Sequence, residues 1–192
     1  MVLLIRNPRG SAHKLDKRGL PGCPLLLTTY LLDFLSAWPD AVHGVARPLL
    51  RPADGRLAEL KGLELGDNQI GDSGMISLCE AFAVGALANL THLALWSNQI
   101  GDVGVSALAG ACANGALPQL EDLNLSYNRI GNDGLIALSK ALADGAMASL
   151  KMLVVDNGPL GTEHPALKSA CSRSSISCAS SASGRWSGNS AL

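Results

Sequence analysis

The sequence contains few aromatic residues: Phe, Tyr and Trp together make up 4% of the 192 residues. Conventional globular cores take much of their buried area from aromatic side chains, so one large packed core is disfavoured. A stack of similar layers can instead be built from Leu, Ile and Ala alone. The scarcity therefore favours a repetitive architecture, and a hydrophobic content of 47% supplies the apolar material for it.

The motifs of common catalytic and metal sites are also absent. The sequence has no P-loop, no GxGxxG and no GxSxG. Its histidines are too scattered to suggest a zinc site, lying at His13, His43, His92 and His164. The five cysteines are odd in number and lack CxxC spacing, which is typical of reduced thiols rather than a disulfide framework. We therefore expect no cofactor, no metal ion and a cytoplasmic location.

The chain also lacks long apolar runs, and its middle part carries few basic side chains. The apolar stretch 25–35 contains Asp33 and is about half of the ~20 residues that a membrane helix needs. The apolar stretch 1–5 is cut off by Arg6 and makes a poor signal peptide. Residues 60–164 hold four basic against eleven acidic side chains. We expect neither a membrane span nor nucleic-acid binding, because an acidic body repels phosphate groups.

An internal repeat runs through the middle of the chain. Its first position is occupied by the equally spaced Leu60, Leu90, Leu120 and Leu150, and the consensus from there is LxxLxLxxNxI. Alternation of the apolar positions 4 and 6 predicts one short strand, with positions 3, 5 and 7 facing outward. Asparagine at position 9 can bond the backbone of the bend that follows. We predict a structural ladder of Asn68, Asn98 and Asn128.

The second half of each repeat is predicted to be a helix. A residue of N-cap type, Asp72, Asp102 or Asn132, lies between paired glycines. Apolar residues then recur at positions 16, 19 and 23, tracing one helical face. Cys112 falls on this face and Cys79 beside it, so both are expected to be small core hydrophobes. One strand and one helix per repeat predict a curved α/β solenoid with a parallel sheet on its concave face.

These motifs carry a resemblance to a known family. The runs LELGDNQIGDSG, ALWSNQIGDVG and NLSYNRIGNDG resemble the long leucine-rich repeats of ribonuclease inhibitor, Ran GTPase-activating protein and the sensor domains of NOD-like receptors. The match extends from Leu60 to about Gly161. It implies a non-catalytic module that binds another protein. The likeness to Ran GTPase-activating proteins also raises an alternative, regulation of a small GTPase.

The pattern divides the chain into four parts. Residues 1–59 are predicted to be a degenerate N-terminal cap or linker, partly disordered, and 60–164 to be the repeats (60–89, 90–119, 120–149 and a partial 150–164). Residues 165–178 are predicted to form a C-terminal cap, and 179–192 a disordered tail rich in Ser and Gly. Within the first part, Leu20-Pro21 and residues 32–35 faintly resemble an F-box, which suggests a substrate adaptor of a ubiquitin ligase. An amphipathic cap helix is the other interpretation of that segment.

The outward strand positions are where partner binding is expected. The predicted contact residues are Glu64, His92, Trp96, Asp122, Asn124, Tyr127 and Asp156. An exposed Trp96 near Tyr127 is typical of an interface hot spot, although Trp96 would equally serve to cover apolar neighbours. The carboxylates favour a protein partner with a basic surface, bound by a monomer. His92 and Asp122 also permit an acid/base interpretation, but no nucleophile or oxyanion site accompanies them.

Overall fold

The computed structural model describes residues 2–4, 60–85, 87–155 and 164–179. These residues form six short strands and four helices. In chain order they are β1 (Val2–Leu4), β2 (Gly62–Glu64), α1 (Asp72–Ala83), β3 (His92–Ala94), α2 (Asp102–Ala113), β4 (Asp122–Asn124), α3 (Asn132–Ala143), β5 (Met152–Val154), α4 (Pro165–Arg173) and β6 (Ser177–Ala179).

All six strands belong to one parallel sheet, in which chain order is also spatial order. Equivalent repeat positions pair directly, so Gly62, His92 and Asp122 form one row across the sheet. Each helix from α1 to α3 packs against the next, on the side of the sheet opposite the outward strand positions. The prediction of an α/β solenoid with one strand and one helix per repeat is confirmed.

Two strands lie outside the predicted pattern. Strand β1 joins the edge of the sheet, with Val2 opposite Gly62, although the sequence predicts only a degenerate cap or linker over residues 1–59 and no strand there. Strand β6 closes the other edge, with Ser177 opposite Met152. The step from β5 to β6 is shorter than the earlier steps between strands, because the helix before β6 has nine residues whereas α3 has twelve.

The core is a continuous stack of the apolar repeat positions. Leucines at position 4, such as Leu63, Leu93 and Leu123, are at most 2% exposed, and the apolar face of each helix packs on them. Leu167 and Cys171 extend the stack into α4. Since each layer contacts only its neighbours, an interior layer is buried on both sides.

The described cysteines differ in oxidation state, since two form a disulfide and two are free thiols. Cys171 in α4 and Cys178 in β6 form a disulfide, which corrects the expectation that the thiols are reduced. No sequence motif indicated this pair, because the turn after α4 brings together residues that show no CxxC spacing. Cys79 and Cys112 are free and buried. Burial raises the pKa of Cys79 to about 12, with a smaller contribution from the charge of Cys112, and burial raises the pKa of Cys112 to about 11.

The helix starts also differ from prediction. Asp72 and Asp102 are the first helical residues, and the preceding glycines Gly71 and Gly101 occupy the N-cap positions. The aspartates do not cap their own helices; each reaches the helix of the following repeat. Asp72 Oδ1 accepts hydrogen bonds from the backbone nitrogens of Gly101 at 2.7 Å and Gly104 at 2.9 Å. Sequence alone suggested a local cap because it cannot show that the neighbouring helix lies closer.

None of the helices in the described ranges is long and apolar enough to cross a membrane.

Candidate functional site

The candidate surface is the sheet face, which we define as the outward side chains at positions 3 and 5 of strands β2 to β5 and at position 7 just after strands β2 to β4. These side chains come from four neighbouring repeats and lie in straight rows, because the strands pair without any shift in register. The rows are not uniformly accessible. At position 5, Ala94 and Val154 are buried, whereas Glu64 is half-buried. Accessible groups are concentrated at position 3 and around Trp96.

Trp96 lies directly over Gly66, which follows the preceding strand β2. A Cβ atom built on Gly66 would fall 2.1 Å from Cε2 and 2.2 Å from Nε1 of the Trp96 indole. The absence of a side chain at residue 66 therefore makes room for the ring, which rests on the backbone that follows β2. Trp96 is half-buried, so part of its ring remains accessible. The ring thus covers its neighbour and still presents a surface, so the two sequence interpretations of this residue are compatible.

His92 and Asp122 face each other across two neighbouring strands. His92 Nε2 lies 2.8 Å from Asp122 Oδ2, and the two side chains are 46% and 24% exposed. On the other side of the ring, Nδ1 is 2.7 Å from the hydroxyl oxygen of Thr91. That hydroxyl donates to the backbone carbonyl of Lys61 at 2.8 Å. The imidazole is therefore held in place from both sides.

The Asp122, His92 and Thr91 side chains superficially resemble a catalytic triad, in which a carboxylate orients a histidine base that activates a hydroxyl nucleophile. The Thr91 hydroxyl is committed to the Lys61 carbonyl, so its proton points into the backbone rather than towards the histidine. A general base must accept the proton of its nucleophile. The arrangement suits an orienting contact better than a nucleophile and its base.

Asn124 requires a correction. It was predicted to contact a partner, but it is only 6% exposed. Its Oδ1 accepts hydrogen bonds from the backbone nitrogen of Ser126 at 3.0 Å and from the Ser126 hydroxyl at 2.7 Å. In a closely spaced parallel sheet, the side chains of the two neighbouring strands shield a small polar residue from solvent. Its hydrogen bonds are then made to residues nearby in its own chain segment. Asn124 is thus buried and hydrogen-bonded at the end of its strand, and it does not belong to the accessible part of the sheet face.

Tyr127 is the most exposed aromatic side chain among the described residues, at 60%. It occupies position 8 with a φ of 54°, and the equivalent Asp67 and Ser97 have φ values of 58° and 54°. The chain is thus left-handed at this position in three successive repeats, which Asn, Asp and Gly tolerate more readily than an aromatic residue. Asp156, the remaining predicted contact residue, lies outside the described residues.

One ion pair beside the sheet face was not predicted. Lys151 Nζ lies 2.8 Å from Glu121 Oε1, and this hydrogen bond lowers the pKa of the Glu121 carboxyl below its usual value. Both residues occupy position 2 of neighbouring repeats, so the opposite charges stand one repeat apart in the sequence. The same register that predicts the strands could have identified this pair.

The asparagines at position 9 bond the backbone of the bend after each strand. Asn98 Nδ2 donates to the carbonyls of Leu65, Leu95 and Trp96, and its Oδ1 accepts from the backbone nitrogen of Ile70 at 3.0 Å. Asn128 repeats this pattern one layer on. These side chains link successive layers below the sheet face and are unavailable to a partner.

A comparison with protein families agrees with this architecture. The model described as "Leucine Rich repeat" matches the chain in three segments, at residues 60–79, 86–109 and 117–139. The matched segments are therefore similar to leucine-rich repeats, in agreement with the strand and helix that each repeat forms in the structure. No curated protein matches the chain.

Proposed function

We propose that these leucine-rich repeats bind a protein partner on the sheet face and catalyse no reaction. The observation that carries this proposal is the Trp96 indole, which is held on the backbone of Gly66 and is half-buried, so that part of the ring stays accessible. A large aromatic ring that is fixed before binding loses little conformational freedom when a partner covers it. Such rings are common among the residues that dominate binding energy.

Tyr127, at position 8 beside the sheet face, supports a partner-binding role for this side of the molecule. Its exposed ring contributes little to the core, and its left-handed backbone costs of order 1 kcal/mol for a residue of this type. A role in contacting a partner gives a reason for an aromatic residue at a position where Asn would fold more easily.

Charge favours a basic protein as that partner. Residues 60–164 carry eleven acidic and four basic side chains. Within the sheet face, Glu64 is half-buried, while the Asp122 carboxylate contacts His92. Asp122 therefore offers less free negative charge than its sequence position suggested. We propose that Lys or Arg side chains of the partner approach Glu64 and compete with His92 for Asp122.

The test begins with affinity capture on the full chain, which identifies candidate partners, including any small GTPase or ubiquitin-ligase subunit. Dissociation constants of each purified candidate are then measured for the wild type and for Trp96→Ala and Tyr127→Asn. Val84→Ala is the matched control, since Val84 is exposed at the end of α1, away from the sheet. We expect Trp96→Ala to weaken binding at least about 30-fold, and the control to leave it unchanged. Equal affinity of all variants would contradict the proposal.

A further inference from the structure

The outer side of helix α2 carries no charged side chain. Its exposed stripe consists of Val103, Ser106, Gly110 and Ala113, and Val103 is 60% exposed. The one acidic residue of the helix, Asp102, has its carboxylate bonded to the following repeat. A helix that is apolar all round is normally buried on every side. Helix α2 is the central helix of the repeats, between α1 and α3.

Gly110 adds a second observation. Glycine in a helix interior weakens the helix, because it gives up more backbone freedom than alanine does. A Cβ atom at Gly110 would meet nothing within 4 Å. Packing within the described residues therefore gives no reason for glycine here. A close approach from outside does give one, since glycine lets another backbone come near.

The flanking helices carry complementary groups at the same repeat positions. Beside Gly110, at position 21, α1 has Glu80 and α3 has Lys140; both are exposed, and neither forms an ion pair with another described residue. One turn earlier, at position 17, the exposed side chains are Ile76 on α1 and Ile136 on α3. Helix α2 separates these pairs, so Glu80 and Lys140 of one chain do not meet.

We propose that this helix face binds a second copy of the chain, related by a two-fold axis parallel to α2. Such an axis places α2 against α2 and exchanges the flanking helices, so that α1 of each copy faces α3 of the other. Glu80 then meets Lys140 twice, and Ile76 meets Ile136 twice. An isologous interface must be self-complementary in this way. The surface thus matches itself in charge and in apolar contacts.

The shape of the repeats agrees with this arrangement. Strands in a sheet are ~4.8 Å apart whereas packed helices are roughly 8–10 Å apart, so the helix side is the wider and convex one. Two convex surfaces touch first at their central helices, where Gly110 allows close contact. The gap widens towards α1 and α3, and the long side chains of Glu80 and Lys140 suit that wider gap.

The proposal replaces the monomer expected from the sequence and is independent of the proposed function. The sheet face lies on the opposite side of each copy, so a dimer would present two partner-binding surfaces. Two linked sites raise the apparent affinity for a partner that is itself multivalent.

Charge reversal on the full chain provides the test. Mass is measured by analytical ultracentrifugation over a concentration series up to ~0.1 mM, well above the dissociation constant of a specific dimer. We expect the wild type to reach twice the chain mass of 19.8 kDa. Glu80→Lys and Lys140→Glu should each weaken the dimer at least about tenfold, because each replaces two attractive contacts with two repulsive ones. Circular dichroism verifies that both variants are folded, as expected for exposed positions.

Mixing the two single variants is the decisive measurement. A heterodimer of Glu80→Lys with Lys140→Glu regains both opposite-charge contacts, so the mixture should dimerise as tightly as the wild type. Arg129→Glu, a charge reversal at an exposed residue outside the helices, should leave dimerisation unchanged. A wild type that stays monomeric overturns the proposal. Single reversals without effect, or a mixture that fails to recover, overturn it equally and indicate another occupant of this helix face or another interface.

Discussion

The carboxylate of Asp102 lies 2.8 Å from the backbone nitrogen of Gly134, a residue 32 positions further along the chain. The same Oδ1 atom also accepts from the Gly131 nitrogen. Each aspartate thus accepts hydrogen bonds from backbone N–H groups at the start of the next helix, where the helix dipole also favours negative charge. At the last repeat, His164 Nε2 donates to Asn132 Oδ1 at 2.7 Å. These contacts tie the helices together as the asparagines tie the strands.

We predict that Asp102→Ala lowers the free energy of unfolding by about 2 to 3 kcal/mol, since two hydrogen bonds to a charged acceptor are lost. Denaturant unfolding measures the change. Asp133→Ala is the control, because Asp133 is exposed in the first turn of α3, where its favourable interaction with the helix dipole contributes below about 1 kcal/mol. Similar losses for both variants would mean that the contact between repeats adds nothing.

Two glycines of α2 should respond in opposite directions to alanine. A Cβ atom at Gly104 would lie 2.7 Å from Asp72 Oδ1 and 2.9 Å from Ile100 Cγ2, so Gly104→Ala should destabilise the fold by about 1 to 3 kcal/mol. Gly110→Ala meets open space and should stabilise the helix by about 0.5 to 1 kcal/mol. Thermal unfolding at low protein concentration compares the two. A stabilising Gly104→Ala would refute the close approach.

Asn98→Asp should be more damaging than its size suggests. The substitution replaces the amide nitrogen, which donates to three carbonyls, with an oxygen that faces them. We expect a loss of more than about 3 kcal/mol, since a buried donor is lost and a charge is left without a partner. Gln99→Glu makes the same chemical change at the exposed neighbouring residue and should stay within about 0.5 kcal/mol. Urea unfolding of both variants decides between them.

The contact between Gly66 and Trp96 should appear as coupling in a double-mutant cycle. Gly66→Ala forces the indole away from the strand and should cost about 1 to 3 kcal/mol. In the Trp96→Ala background the same change should cost less than about 0.5 kcal/mol, because the obstructing ring is gone. Unfolding free energies of the four proteins give the coupling. An additive result would show that the ring does not rest on Gly66.

Alkaline pH should destabilise the fold through the buried thiols. The folded-state pKa values of about 12 for Cys79 and about 11 for Cys112 lie above the ordinary value of 9.0. Below pH 9.0 their contribution to stability is fully present, and it is lost as the pH rises towards the folded-state values, because only the unfolded chain releases these protons. The slope is about 1.4 kcal/mol per pH unit and thiol. Cys79→Ala/Cys112→Ala should flatten the unfolding free energy against pH in this window; an unchanged slope would contradict the assignment.

Local periodicity is why so much of the fold was predictable. The apolar residues at positions 4 and 6 specify a strand, and those at positions 16, 19 and 23 specify a helix face, without reference to distant residues. Identical spacing in successive repeats then requires that equivalent residues stack. This reasoning also reaches His92 and Asp122, which occupy the same repeat position and meet at 2.8 Å.

Periodicity could not predict contacts that depend on residues outside the repeat or on packing between neighbouring rows. Strand β1 pairs with β2 although the two are far apart in the chain, and no motif at the start of the sequence matches the repeat. The disulfide of Cys171 and Cys178 depends on a turn outside the repeat register. Asn124 was misjudged because outward orientation in a strand does not guarantee exposure once the neighbouring rows are in place.

The order of residues along the chain was enough to establish the repeat, the stacking of its apolar positions and the bonding role of Asn98, because these follow from side-chain spacing and local backbone geometry. Packing between the layers settled which partner each polar group meets. It directed Asp102 to the next helix, laid Trp96 on Gly66 and left the α2 face without charge. The physical reason is that spacing along the chain fixes the direction of a side chain, whereas the distance to a neighbouring layer depends on how the layers pack.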